Sequence, residues 1–336
     1  MKGVELLIIL NENEIQQLYS MKDALVDTEN MFYHKNEGKI ESPHRTVIEF
    51  PKEDGSVLYM PCTDLSENIM SMKTVTIFPN NPKKGKSTTQ GVVLLSDATN
   101  GDHVAMFNAS YLTRLRTGAI SGLATERLAL KDAHTLTMIG TGGMAFEQAL
   151  GVLAVRDIKQ ILLINPTKEK AIKFKQKLRD FGIKETIKID VLEDVNNAVK
   201  QSQIICCSTR SNEPVFDGND IQPGTHVNGV GSYLPHMREV DFTFLQRTNK
   251  IIVDDMNGVK EEAGELIHAN KQPNWSYDKI HGELLDLVVE KVEPRRTDDE
   301  ITFFKSVGAA YYDLAVANGV YKKALKKNAG KRININ

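Results

Sequence analysis

Three stretches of this sequence hold residues whose types and spacing suit chemistry. The run Leu136-Thr137-Met138-Ile139-Gly140-Thr141-Gly142-Gly143-Met144-Ala145 reads G-x-G-x-x-A after an apolar segment and ahead of a helical pattern. In such a frame Gly140 permits a tight turn, Gly142 lets backbone N–H groups approach a pyrophosphate, and Ala145 lets the helix pack against the strand. The helix N-terminus adds a preference for negative charge. The alternative is a purely structural glycine turn. The second stretch is Tyr111–Leu128, where Leu112, Leu115, Ala119, Ile120 and Leu123 mark one helical face. Arg116 stands one turn from Leu112 and Ile120 and falls on that face, whereas Arg114 points elsewhere, as for a solvent role. A buried arginine wants an anion, either an internal acid or the carboxylate of a ligand. The third is Ser71–Ile77, where Lys73 shares a strand face with Val75 and Ile77 while Met70, Met72 and Phe78 occupy the other. Lys73 is either a desolvated group for acid–base work or carboxylate binding, or an edge lysine that keeps its ammonium in water. Arg45, in Pro43-His44-Arg45-Thr46, carries no signal of its own.

A dinucleotide fold often ends its second strand with an acid that accepts from the ribose 2′-OH. Here Asn165 stands at that place, followed by Pro166-Thr167-Lys168. With no carboxylate and a lysine nearby, both NAD and NADP remain open as the cofactor. Thr167 also reads as the N-cap of the following helix. None of the eight histidines has a metal-ligand spacing, and no Ser/His/Asp or Cys/His order stands out, so no metal is expected. His226 lies inside an apolar strand and reads as a satisfied core residue.

The elements that must position these residues fall into two styles. Up to about residue 110 helix and strand signals mix: a helix opening at Ser20-Met21-Lys22-Asp23-Ala24 and running to about Asn36, then strands at Thr46–Phe50, Val57–Pro61, Met70–Phe78, Gly91–Asp97 and Val104–Phe107. Asn80-Asn81-Pro82 and Asn100-Gly101 supply turns, and the whole reads as a mostly antiparallel sheet with helices. From Thr135 strands and helices alternate. Leu136–Ile139, Ile161–Ile164, Ile187–Val191 and Ile204–Cys207 are separated by Ala145–Val155, Lys168–Phe181 and Val195–Gln201, and Thr225–Val230 and Ile251–Asp254 follow. This alternation predicts a Rossmann-type doubly wound parallel sheet. After Asp298-Asp299-Glu300 the pattern predicts one long helix to about Lys327, whose Tyr311, Tyr312, Leu314 and Val316 suit packing against the first domain. The predicted organisation is an α+β domain, 1–118 and 313–336, with a nucleotide-binding domain, 119–312, inserted in it.

Composition excludes several classes. A formal net charge of −2 gives no general attraction to nucleic acid or to an anionic membrane. The basic end with Lys322, Lys323, Lys326, Lys327, Lys331 and Arg332 reads either as a binding tail or as a solvated helix end favoured by the helix dipole. No stretch approaches the roughly 18 apolar residues needed to span a bilayer. Met1-Lys2-Gly3 imitates a secretory start, but the apolar run Leu6–Leu10 is short and Asn11-Glu12 follow it. Cys62, Cys206 and Cys207 read as small buried side chains in a reducing compartment, so a cytoplasmic protein is expected.

In the order of its motifs the chain resembles the ornithine cyclodeaminase/mu-crystallin family over nearly its whole length. The motifs are Met60-Pro61, Met72-Lys73, Thr88-Thr89-Gln90-Gly91-Val92, Leu112-Thr113-Arg114-Leu115-Arg116-Thr117, Ile139–Ala145, His226-Val227-Asn228-Gly229-Val230-Gly231, Val253-Asp254-Asp255, Asp298-Asp299-Glu300-Ile301-Thr302 and Lys305-Ser306-Val307-Gly308. The resemblance implies a homodimer that acts on a small amino or imino acid by hydride transfer with NAD or NADP at a cleft. It also implies that Arg45, Lys73 and Arg116 hold the substrate carboxylate, with Lys73 near the reacting bond and Thr88 and Thr117 at the same cleft. Cofactor contacts would come from Thr117, Gly140, Thr141, Gly142, Gly143, Met144, Asn165, Thr167, Lys168, Ser208, Thr209, Val230, Gly231, Ser306 and Gly308. One departure matters. Where cyclodeaminases proper carry an aspartate for the distal amine, the segment Gly231-Ser232-Tyr233-Leu234-Pro235 has Tyr233 in the aspartate's place, and the resemblance implies that Tyr233 meets the substrate. A neutral phenol cannot pair with an ammonium as a carboxylate does, which counts against cyclisation of ornithine. The expected activity is therefore that of an amino acid dehydrogenase or imine reductase. The alternatives are a cyclodeaminase proper and a non-catalytic NADPH-binding protein of mu-crystallin type.

Overall fold

The computed structural model describes residues 6–335, and the Met1-Lys2-Gly3 start lies outside them. In chain order the elements begin with β1 (Leu7–Leu10), α1 (Glu12–Leu18), α2 (Met21–Asn36), β2 (Ile40–Glu41), β3 (Thr46–Phe50), β4 (Gly55–Asp64), β5 (Ile69–Ile77), β6 (Thr89–Asp97), β7 (His103–Asn108) and α3 (Ala109–Leu128). There follow β8 (Thr135–Ile139), α4 (Ala145–Val155), β9 (Gln160–Ile164), α5 (Lys168–Asp180), β10 (Lys188–Leu192), α6 (Val195–Lys200), β11 (Ile204–Cys207) and β12 (His226–Gly229). The last part holds α7 (Phe242–Arg247), β13 (Lys250–Val253), α8 (Met256–Glu262), α9 (Gly264–Ala269), β14 (Ile280–Glu283), α10 (Leu284–Val288), β15 (Thr302–Lys305), α11 (Ala310–Lys327) and β16 (Lys331–Ile333). Among the described residues no helix is long and apolar enough to cross a membrane.

The chain forms two compact units, one taking in the chain up to Arg116 and again from Ala310, the other Thr117–Ala309. The first unit is built on an eight-stranded sheet in the order β16-β1-β7-β6-β5-β4-β2, with β3 paired to β4. All its ladders are antiparallel except β1 with β7. Alternation along β5 turns Ile69, Ser71, Lys73 and Val75 into the interior and leaves Met72 exposed. The interior face is covered by α11, which also packs on α2, where Phe32 meets Tyr312 edge-on at 5.7 Å. A capping box of Ser20 with Asp23 starts α2 at the predicted place.

The second unit carries the doubly wound sheet, eight parallel strands in the order β10-β9-β8-β11-β12-β15-β13-β14. Strands β8, β11, β12 and β15 are buried along their whole length, as expected of a parallel sheet covered on both faces. The chain winds from β8 outward to β10 and then crosses back to β11. The point where the winding reverses lies between the C-terminal ends of β8 and β11, where sheets of this type bind ligands. Gly118 and Gly151 let α3 and α4 touch: a Cβ at Gly151 would lie 2.0 Å from the Gly118 carbonyl oxygen.

Three sequence expectations change. The single helix predicted after residue 300 is a strand, β15, and then a helix, because Ile301–Lys305 is buried on both faces between β12 and β13. Gly308, at φ +91°, separates the two. Arg114 does not face free solvent: it is ion-paired to Glu12 and lies over the Tyr111 ring at 5.4 Å. Of the basic end, Lys322 to Lys327 close α11 as the helix-end reading had it, Lys322 and Lys323 pairing with Glu67 and Asp23, but Lys331 and Arg332 are neither tail nor helix and lie in β16 beside β1.

Candidate active site

In the first unit, β5 and the two long helices bring three groups of opposite sign together. Lys73 Nζ donates to both carboxylate oxygens of Asp313, at 3.0 and 3.1 Å. Lys73 is 3% exposed and Asp313 1%, so this is a buried ion pair. Arg116 Nε lies 3.5 Å from the same carboxylate, and Thr113 Oγ1 lies at 3.5 Å from it. The helical phase explains the convergence: Thr113 and Arg116 are three residues apart on α3 and share a face, as predicted from the apolar positions around Arg116. Lys73 reaches this point because it sits in a central strand between β4 and β6, opposite Met60 and Val93, and not on an edge.

Burial lowers the Lys73 pKa to about 8, and the charges of Arg116 and Arg45 act in the same direction, while Asp313 opposes them. Arg45, half-buried before β3, is thus within electrostatic reach of Lys73. Within this cluster the buried Lys73 and Arg116 set two cations against the one anion of Asp313. Arg116 Nε makes no hydrogen bond among the described residues although it is buried. A surplus of buried positive charge with an orphaned guanidinium donor suits an incoming carboxylate. Thr88 is not part of this cluster: it stands five residues before Val93, and its carbonyl accepts from the Phe78 N–H where β5 and β6 end.

In the second unit the glycine turn has the geometry a dinucleotide needs. Gly140 has φ +88°, and a Cβ there would lie 2.8 Å from the Ser208 carbonyl oxygen. Gly142 and Gly143 are exposed, and a Cβ on either would meet nothing within 4 Å. The space that side chains would fill is open ahead of α4. Thr141 Oγ1 is buried and makes no hydrogen bond among the described residues. These features fit a pyrophosphate, which would take N–H donors from the turn and the first turn of α4 and a hydroxyl from Thr141.

Asn165 does not stand free at the end of β9. Its side chain accepts from the Thr141 N–H at 3.3 Å and donates to the Thr167 carbonyl at 2.9 Å, bracing the two loops. Thr167 precedes α5 at the N-cap position without a side-chain cap, and Lys168 is paired with Glu193 at 2.7 Å on the surface. Ser208, Thr209, Val230 and Gly231 follow the ends of β11 and β12, and Ser306 and Gly308 follow β15. All of these lie at the C-terminal edge of one parallel sheet, while Thr117 and Met144 begin the unit's share of α3 and precede α4. Tyr233 is half-buried beyond the β12 end.

Sequence reasoning missed the acids. Asp313 sits among Ala310, Tyr311, Tyr312, Leu314, Ala315 and Val316, all buried, so a lone carboxylate in an apolar helix was the signal that matched Lys73 and Arg116. Glu239 and Glu265 are also buried, in segments that give no such signal, and Asp254, of the Val253-Asp254-Asp255 motif, is buried beyond the apolar strand β13. His226 is a core residue as expected, bonded to Thr302 and Asn228, and burial pushes its pKa down to about 3.

Known proteins share this architecture and sequence. The model of the ornithine cyclodeaminase/mu-crystallin family matches residues 7–328. A Delta(1)-pyrroline-2-carboxylate reductase of Bacillus cereus is 36% identical over 327 residues, 97% of this chain and 99% of that protein. The structure of Thermococcus litoralis Delta(1)-pyrroline-2-carboxylate reductase in complex with NADH and L-proline superposes with a TM-score of 0.92 at 34% identity, covering 97% of this chain and 100% of that one. An archaeal alanine dehydrogenase dimer with bound NAD gives a TM-score of 0.90 at 31% identity, covering 98% and 100%. With the paired Lys73–Asp313 and the open glycine turn, these likenesses place the chain: it belongs to the ornithine cyclodeaminase/mu-crystallin family and is an NAD(P)-dependent enzyme that transfers hydride at the Cα–N bond of a small amino or imino acid.

Proposed function

We propose that this enzyme reduces a small cyclic imino acid, of the pyrroline-2-carboxylate or piperideine-2-carboxylate kind, to the corresponding L-amino acid. The observation that carries this reading is the buried Lys73–Asp313 pair beside an orphaned Arg116 donor. The relatives named above support the substrate class, since one acts on pyrroline-2-carboxylate and a similar structure holds NADH and L-proline.

A bound reduced nicotinamide would supply the hydride that the imine carbon accepts. Arg116 and Arg45 hold the substrate carboxylate, Arg116 with an Nε donor that makes no hydrogen bond among the described residues, and this fixes the imine bond in one orientation. Lys73 gives its proton to the imine nitrogen as the carbon accepts the hydride, leaving a neutral amine on Lys73. Asp313 keeps Lys73 in place and favours its charged form before transfer. In the reverse direction neutral Lys73 takes the proton from the amino nitrogen. Gly140–Met144 with Thr141 would hold the pyrophosphate, and the segments after β11, β12 and β15 would supply the remaining cofactor contacts. With Tyr233 in place of a carboxylate, no acid in that segment pairs with a distal substrate amine, which favours release of the reduced product over cyclodeamination.

The division into a substrate and dimerisation domain and a nucleotide-binding domain corresponds in this reading to the two compact units, with the boundaries shifted by a few residues. The chain acts as a homodimer through the outer face of the first sheet, where Tyr59 (37%), Met72 (39%) and Val92 (42%) are exposed together. An uncovered apolar sheet face needs a partner, and the alanine dehydrogenase named above is a dimer. The three cysteines of this chain are free thiols, in keeping with a cytoplasmic location.

The test follows nicotinamide absorbance with NADH and NADPH separately, against pyrroline-2-carboxylate, piperideine-2-carboxylate, and pyruvate with ammonium. Ornithine with NAD is scored in parallel for proline and ammonia. Oxidation with a cyclic imino acid is expected. Turnover with pyruvate and ammonium alone would make this an alanine dehydrogenase, and proline with ammonia from ornithine without net cofactor change would make it a cyclodeaminase.

A further inference from the structure

A second buried charge cluster lies in the nucleotide unit, apart from the acid–base groups of the first. Glu239 is fully buried, and its carboxylate gathers four donors. Oε1 accepts from the Thr209 N–H at 2.5 Å and the Thr209 hydroxyl at 2.9 Å. Oε2 accepts from the N–H groups of Gly231 at 2.8 Å and Ser232 at 3.2 Å. Thr209 follows β11 and Gly231-Ser232 follows β12, so one side chain ties together the loops at two neighbouring strand ends.

Ser232 is held from its other groups as well. Lys305 Nζ donates to the Ser232 carbonyl at 2.6 Å and to its hydroxyl at 2.6 Å, and the hydroxyl donates to Glu265 at 2.8 Å. Lys305 and Glu265 are themselves ion-paired at 3.2 Å with neither exposed. The clamp leaves no room for a side chain: a Cβ on Gly231 would lie 2.2 Å from the Thr209 nitrogen and oxygen and 2.4 Å from Glu239 Oε1. Burial of this kind is costly unless every oxygen has donors, and here they do.

Position in the sheet says what the clamp controls. In a doubly wound sheet the pyrophosphate lies at the turn after the first strand, here β8, and the two halves of the dinucleotide extend to either side. Asn165, after β9, marks the adenosine side, and the β11 and β12 loops mark the other. We infer that Glu239 is a positioning residue that locks the loops after β11 and β12 into one rigid wall for the nicotinamide half of the cofactor. This rests on the dinucleotide reading of the Gly140 turn. Glu239 does not touch substrate or cofactor. It acts through Thr209, Gly231 and Ser232.

The isosteric change Glu239→Gln separates this role from a merely structural one. An amide has one acceptor oxygen and an N–H₂ that faces N–H donors, so one side of the clamp is lost while the volume is kept. NADH and ADP-ribose binding are titrated on wild-type and variant full-length enzyme. ADP-ribose keeps the pyrophosphate and adenosine contacts but has no nicotinamide. At least a tenfold loss of NADH affinity, with ADP-ribose within twofold of wild type, is expected. Thr209→Val removes one of the four donors at constant shape and is expected to give the same split more weakly, which serves if Glu239→Gln folds poorly. Unchanged NADH affinity overturns the inference. Equal losses for both ligands also overturn it, since they mean general destabilisation. Wild-type protein that binds neither ligand removes the dinucleotide reading and the inference with it.

Discussion

Replacing Asp313 by asparagine should move the pH dependence of catalysis in a direction that the buried cluster fixes. Lys73 must be protonated to deliver its proton to an imine, so the reductive kcat/KM falls as pH rises through its pKa, about 8. The oxidative direction needs neutral Lys73 and rises through the same value. Of the groups acting on Lys73, Asp313 is the one that raises its pKa, while burial, Arg116 and Arg45 lower it. Two unit charges about 3 Å apart attract by roughly 5 kcal/mol at an effective dielectric constant of about 20. The amide of asparagine still accepts a hydrogen bond from the ammonium, worth about 1.5–3 kcal/mol, so much of that attraction is recovered. The remainder, about 2–3.5 kcal/mol, corresponds to a fall of about 1.5–2.5 pKa units. The reductive limb of Asp313→Asn should therefore lie near or below neutrality, and the oxidative limb should move with it. The substrate's own ionisation is common to both enzymes, so the difference between the two profiles is what is read. Breaking a buried pair costs about 3–5 kcal/mol of stability, so NADH titration is run beside the assay to confirm that the variant is folded. Lys73→Met with Asp313→Asn removes both charges and should fold better than the single variant while remaining inactive. A folded Asp313→Asn enzyme whose limbs stay at the wild-type pH would refute the reasoning.

Three further outcomes follow from the same geometry. Lys73→Ala should lower kcat/KM by about 100-fold or more with NADH affinity unchanged, and turnover within a few-fold of wild type in a folded variant would remove Lys73 from the mechanism. Gly140→Ala forces a side chain into a φ of +88° and to 2.8 Å from the Ser208 carbonyl, so fluorescence titration should show at least a tenfold loss of NADH affinity. Met72→Asp places a charge on the uncovered sheet face, and sedimentation should show the proposed dimer of the wild type replaced by monomer; a variant that sediments like the wild type means that this face carries no interface.

Much of this was legible in the sequence because periodicity and glycine placement are local. The start of α2, the whole of α4 and the strand β11 fall where their patterns put them. Lys73 and Arg116 were visible because a cation on an apolar face is conspicuous, and their alternatives could be settled only by a partner in space. That partner, Asp313, is 240 residues from Lys73 in the chain, and no spacing rule connects them. The strands β1, β14, β15 and β16 escaped notice because three or four residues show no period, and Thr302–Lys305 merged with the helix after it. Glu239 escaped for another reason. In Arg238-Glu239-Val240-Asp241 an acid looks like ordinary surface, and only the folded loops reveal four donors converging on it.

One buried cluster in each unit uses charge in its own sense, and the difference follows from what each must bind. In the first, Lys73 and Arg116 face the single carboxylate of Asp313, and the extra positive charge is directed at an anion that arrives with the substrate. In the second, Glu239, Glu265 and Asp254 outnumber Lys305, although the expected ligand is itself anionic. Those acids cannot serve as ligand contacts without repelling a pyrophosphate. They are instead saturated by the protein: Asp254 takes the Ser306 hydroxyl at 2.6 Å and the N–H groups of Val307 at 3.0 Å and Gly308 at 2.6 Å, just as Glu239 takes Thr209, Gly231 and Ser232. Each carboxylate fixes the course of a loop after a parallel strand, and so fixes where that loop's remaining polar groups point. Anion binding at the glycine turn then depends on backbone N–H groups and a helix terminus, while neighbouring loops are set by acids kept out of its reach. A positive side chain in the first unit and a negative one in the second therefore answer the same requirement, that the groups meeting substrate and cofactor be oriented before either arrives.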